Sequence, residues 1–212
     1  MEINDVFRNV AYLGYIVLAI NTFIYFKSYR DKSVAFKIFS FYLILCLLIQ
    51  LTTSVFRLYK IDNLFLSHFY FIGQFVLMSL FFKQLLKGIA IKKMISIVLI
   101  LVLIFSGFYY IIDPFRFLKF NIYEIAATSI PLIVYSFVFF IQRVNKSEKT
   151  NLYINSGFFL YLLCSTLLFT TGNIEASIKR FIWYSNVTLY LLYQILIFIE
   201  WYKHFRKNKV VV

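Results

Sequence analysis

The chain of 212 residues is 62% hydrophobic and only 15% charged, with 27 Phe and 17 Tyr but just 6 Gly and 2 Pro. A soluble domain is nearer about half apolar and about a quarter charged, and the mean hydropathy of +0.81 departs in the same direction. This balance excludes disorder, a collagen-like repeat, a disulfide-stapled miniprotein and almost any soluble enzyme, and it leaves a polytopic membrane protein.

A bilayer core about 30 Å thick takes roughly 20 apolar residues per helix. Seven runs of that kind lie between charge clusters, near Val10–Phe26, Ile38–Phe56, Phe65–Phe82, Met94–Ile112, Ile122–Gln142, Leu152–Thr171 and Phe181–Tyr202. Continuous runs predict helices, because barrel strands would alternate over about ten residues. The expected fold is therefore an all-α membrane protein, a single seven-transmembrane helix bundle over residues 1–212.

Taken in order, residues 1–8 hold two acids and one Arg, so no cleavable leader is expected. The first run carries Asn21, and the loop after it carries Lys27, Arg30, Asp31, Lys32 and Lys37. In the second run Gln50, Thr53 and Arg57 fall at i, i+3 and i+7, on one face. Ser67 and Gln74 share a face of the third run with His68 beside them, and Lys83, Lys87, Lys92 and Lys93 follow. The fourth run, ISIVLILVLIF over 95–105, has a single hydroxyl. Glu124, Thr128, Pro131 and Tyr135 descend the fifth, which ends at Arg143 and Lys146. The sixth contributes Asn155, Ser156, Thr166 and Thr170. The seventh contributes Asn186, Tyr190, Tyr193, Gln194 and Glu200, with Trp183, Tyr184, Trp201 and Tyr202 as interface anchors. His204, four residues after Glu200, is placed to pair with it.

Lys and Arg set orientation. With the N-terminus outside, the inner segments hold 15 of the 22 basic residues and three of the nine acids, for a net +12 against +1 outside. An N-out, C-in chain in the cytoplasmic membrane is expected. The basic excess then sits beside helix ends, facing anionic lipid, and nucleic acid is not an expected partner.

A shift of 118 residues lays the first three runs on the last three, bringing Cys46 onto Cys164 and Ser67 onto Ser185. The plain fourth run would then be an inversion helix, making a three-one-three parallel repeat. Cys46 and Cys164 read as buried free thiols.

Ionisable and strongly polar groups at membrane depth are default functional candidates. In the expected topology most of them gather in the outer half. One reading is a ligand site formed by Gln50, Arg57, His68, Gln74, Glu124, Thr128, Tyr135, Asn186, Tyr190 and Gln194, with Pro131 as a hinge. The competing reading is that the same groups knit helices together by hydrogen bonds worth about 1 kcal/mol or less each. With only His68 and His204, no multi-histidine zinc site assembles. There is no GxSxG elbow, no lysine within the seventh run to carry a retinal and no ion-coupling series. Neither an enzyme nor a cofactor is expected. Loops of about ten residues or fewer, and ten residues after Tyr202, leave no room for a fused soluble domain, so any output is expected from a separate protein partner.

The N-out layout and the basic-acidic-basic turn Arg30-Asp31-Lys32-Ser33 resemble bacterial seven-transmembrane receptor-type sensor modules. The stretch INSGFFLYLLCSTLLF, Ile154–Phe169, is similar to the sixth helix of uncharacterised bacterial seven-helix proteins. The likeness covers the whole chain in layout and implies a receptor that binds a small or lipidic ligand in its outer half. Its partner would dock on the inner loops through Arg30, Lys32, Lys83, Lys87, Lys92, Lys93, Arg143 and Lys146. A second likeness is to small sugar transporters of three-one-three helices. Those carry a proline in the first helix of each triplet; here the fifth run has Pro131 and the first has none. The alternatives are thus a small-solute transporter and a structural or regulatory subunit of a membrane complex.

Overall fold

The computed structural model describes residues 3–119, 121–143, 149–170 and 176–206. Lys146, with Glu148, Thr171, Asn173, Glu175, Lys207 and Lys209, lies outside them. The helices are α1 (Ile3–Lys27), α2 (Val34–Leu58), α3 (Leu66–Leu85), α4 (Ile89–Ile112), α5 (Ile122–Arg143), α6 (Leu152–Thr170) and α7 (Ala176–Glu200). A 3-10 turn, Pro114–Leu118, precedes α5, and a π-helical turn, Trp201–Phe205, extends α7. No strand occurs among the described residues. Helices α1 to α5 and the segment Arg180–Phe205 are long and apolar enough to cross a membrane, and α6 adds the shorter apolar stretch Leu152–Leu167. The chain is a multi-pass helical membrane protein in contact with lipid.

All seven expected helices are present, several longer than their apolar runs. Counting apolar residues stops at the first charge, whereas a helix continues until its end groups are satisfied. Thus α2 begins four residues before Ile38, where the Ser33 side chain accepts the Phe36 N–H at 3.3 Å. Between α3 and α4 the chain turns within three residues, and Gly88 at φ +106° supplies a conformation that a side chain would strain.

Two compact units are present. The first comprises residues 1–32 and 143–212, hence α1, α6 and α7. Asn21 donates to the Gln194 carbonyl at 2.8 Å and to its side-chain oxygen at 3.1 Å. Tyr25 donates to the Ile197 carbonyl at 3.1 Å, and Trp201 donates to the Ser28 hydroxyl at 3.1 Å. At the other end Phe7 stacks on Tyr184 at 4.1 Å, and the Tyr184 hydroxyl donates to Asn4. Residue numbers rise together along both helices, so α1 and α7 are parallel, as first and last of an odd number of passes must be. Helix α6 is antiparallel to α7: Glu200 meets its start, while Tyr161 stacks on Tyr193 farther along. At Gly157 an added Cβ would stand 2.8 Å from the Tyr193 ring and 3.2 Å from its Cα. Small residues permit such close approach in membranes. Gly157→Ala is accordingly expected to cost about 1–3 kcal/mol by overpacking against backbone, measurable as a lower unfolding midpoint in detergent.

The second unit, residues 33–142, holds α2 to α5. Helix α2 lies antiparallel to α3, with Phe39 against Phe81 and Phe56 against Phe65. Helix α5 buries one stripe, Glu124, Ile125, Thr128, Ser129, Leu132, Tyr135, Ser136 and Phe139, at helical spacing. It runs parallel to α3: Glu124 meets His68, Tyr135 meets Phe82 and Gln142 clasps the backbone of Lys87. It is one continuous helix through Pro131. Helix α4 buries only Ile95 and Ser106.

This grouping cuts across the three-one-three division, since α1 belongs with α6 and α7 rather than with α2 and α3. The physical reason is the row of hydrogen bonds from Asn21 and Tyr25 to α7 backbone, which equal spacing along the chain does not register.

A buried histidine and glutamate with a half-buried tyrosine at one end of the second unit

The start of α3, the end of α4 and the start of α5 meet at one end of the second unit. His68 lies in the first turn of α3 and is 1% exposed; Glu124 lies in the first turn of α5 and is 2% exposed. The His68 Nδ1 is 2.9 Å from the Glu124 Oε1. From the end of α4, the Tyr110 hydroxyl donates to the Glu124 Oε2 and lies 2.9 Å from the His68 Nδ1. Asn121 fixes the carboxylate's helix from below: its Oδ1 accepts the Glu124 N–H at 3.2 Å, while its Nδ2 approaches the Tyr110 oxygen at 3.4 Å. Asn-x-x-Glu before an apolar run is a helix-start pattern. Here the glutamate turns to neighbouring helices rather than back to its own cap.

Phe117, carried by the 3-10 turn, closes the cluster. Its ring centroid is 5.0 Å from that of His68 and 5.3 Å from that of Tyr110, the latter edge-to-face. Around this end Ile111, Ile112, Phe115 and Leu118 are exposed. One polar atom in the cluster stands apart: the His68 Nε2 is buried with no hydrogen-bond partner.

The candidate residues fare unequally. His68 and Glu124 come together. Arg57, expected beside them, is exposed on α2 and makes no side-chain hydrogen bond or ion pair among the described residues. Gln50 is half-buried on α2. Gln74 is buried with its Nε2 unpartnered, and so is the Tyr135 hydroxyl. Thr128 returns its hydroxyl to the Glu124 carbonyl at 2.8 Å. Asn186, Tyr190 and Gln194 belong to the first unit: Gln194 pairs with Asn21, Tyr190 packs on Tyr161 and faces Gly14, and the half-buried Asn186 has an unpartnered Oδ1. Among the basic positions, Arg30, Lys87 and Lys93 are exposed, while Lys32, Lys83, Lys92 and Arg143 are half-buried. The residues that sequence reasoning missed are Tyr110, Asn121 and Phe117. Only Asn121 had a signal, the helix-start spacing to Glu124.

The Cys46 thiol is buried, while that of Cys164, expected to be buried, is half-buried; no cluster of three metal-binding side chains occurs among the described residues. No protein-family model, curated protein or solved structure matches the chain significantly.

Proposed function

We propose that the protein is a receptor- or sensor-type membrane protein whose small or lipidic ligand is read by His68, Tyr110 and Glu124. The observation that carries this reading is the unpartnered, fully buried His68 Nε2 in a cluster whose other polar atoms are bonded. A buried polar atom without a partner costs about 1–3 kcal/mol, and ionisable groups at membrane depth mark ligand or ion sites. Under the charge distribution, this end is the outer one, and the basic loops form the inner face on which a separate partner docks.

Two measurements test this. Solvent-extracted material retained by protein purified from native membranes is compared by mass spectrometry between wild type and His68→Phe. A compound held by the first and absent from the second is expected; identical extracts overturn the site. Orientation is tested separately with a fluorescent protein fused after Val212, expected to mature and fluoresce on the cytoplasmic side. A fusion active only in a periplasmic reporter overturns the N-out assignment. Flux of a solute through liposomes carrying the protein would replace the sensor reading with transport.

A further inference from the structure

The hydrogen bonds of the cluster restrict the ligand's chemistry, a step that rests on the ligand site proposed above. An ionised carboxylate only accepts, so the hydrogens reaching Glu124 come from its neighbours. The Tyr110 O–H is given to Oε2, which leaves His68 Nδ1 to supply the hydrogen for Oε1. With the hydrogen on Nδ1, both carboxylate oxygens of Glu124 have a donor. In the neutral tautomer that carries its hydrogen on Nδ1, the ring keeps a bare lone pair at Nε2, and Nε2 is the atom of this cluster that is buried without a partner. A lone pair calls for a donor. Behind it, one ring's width away, stands the negative charge of Glu124, which favours a donor bearing positive charge over one bearing negative charge.

The lateral surroundings are apolar. Phe117 covers His68 and is itself half-buried, and the exposed Ile111, Ile112, Phe115 and Leu118 surround its turn. A ligand reaching His68 past Phe117 therefore travels along hydrocarbon-compatible surface. We infer that the site takes an amphiphile whose head group donates an O–H or N–H hydrogen to the His68 Nε2, with its apolar chain lying along this surface. Anionic heads are excluded by Glu124.

The chain has two histidines, so ¹⁵N-histidine labelling of His204→Gln protein in lipid nanodiscs reports on His68 alone. The expected spectrum has hydrogen-bearing Nδ1 and a lone-pair Nε2. Dodecylamine and dodecanol should each shift the Nε2 resonance upfield in a saturable manner, and dodecanoate of the same chain length should not. Hydrogen found on Nε2 with Nδ1 bare overturns the inference, as does a shift with dodecanoate equal to that with the amine. Should dodecanoate alone bind, the donor-head assignment fails while the ligand site stands. If none of the three probes perturbs His68 at saturation of the nanodisc, the site itself is rejected. A Glu124→Gln companion, which removes the charge but keeps an acceptor, should narrow the preference for amine over alcohol.

Discussion

Replacing Glu200 with Ala is expected to lower the unfolding midpoint more than any other single substitution in the α1–α6–α7 unit. Its carboxylate is fully buried on α7, yet it serves α6: Oε1 accepts the Asn151 N–H at 2.6 Å and Oε2 accepts the Tyr153 N–H at 3.0 Å. These are among the donors that a helix leaves unsatisfied at its start. Asn151, at φ +66°, adopts the left-handed backbone that Asn tolerates better than most residues. The acid also places negative charge at the positive end of the helix. Truncation strands two N–H groups, that of Asn151 buried and that of Tyr153 part-buried, at about 1–3 kcal/mol each, so a total loss of about 2–6 kcal/mol is expected for Glu200→Ala. Glu200→Gln keeps one acceptor and turns its amide hydrogens toward the other donor, so it should recover only part. His204, 3.9 Å from the carboxylate and partly exposed, is a control: His204→Gln should change stability by less than about 0.5 kcal/mol. Reversible unfolding in mixed micelles orders the three variants. An Ala variant as stable as wild type, or a His204 variant as damaged as it, refutes the capping role.

That the main partners of Glu200 are 47 and 49 residues away explains why the sequence suggested His204 instead. Spacing on a helix identifies neighbours three or four residues apart, but no one-dimensional pattern joins an acid on one helix to the start of another. The helices were legible because apolar runs of membrane length leave few alternatives. Their ends were less so, since Ser33 and Gly88 act through hydrogen bonds and backbone angles. At the candidate site, the expected topology put His68 and Glu124 at a similar depth, and the two side chains pair at 2.9 Å. Arg57 shared a helix face with Gln50 and Thr53, but periodicity says which residues face the same way and not whether that way is inward. Tyr110 was hidden for a different reason: in a chain of 17 tyrosines, one near a helix end reads as an interface anchor. The grouping of α1 with α7 was illegible because segment lengths carry no information about where Asn21 finds its acceptors.

A chain that replaces the whole cluster with apolar side chains, His68→Phe, Tyr110→Phe and Glu124→Leu together, is expected to be at least as stable as wild type and to lose its retained ligand. Single substitutions behave differently. Glu124→Ala leaves the hydrogens of His68 and Tyr110 facing apolar surroundings, two stranded donors at about 1–3 kcal/mol each, or about 2–6 kcal/mol together. Tyr110→Phe leaves Glu124 bonded to His68 and should cost about 1–2 kcal/mol. Replacing all members with hydrocarbon of similar volume removes both the unpaired atom and the desolvation cost of the carboxylate, and such replacements are commonly neutral or stabilising. Phe117 and the rings of Phe65 and Phe69 already supply an aromatic surround into which two further phenylalanines fit. The triple variant thus separates the two readings that the polar residues allowed from the start. If it unfolds as readily as Glu124→Ala, the cluster is what holds α3, α4 and α5 together. If it is as stable as wild type but binds nothing, then stability does not account for an ionisable group kept at this depth, and binding does.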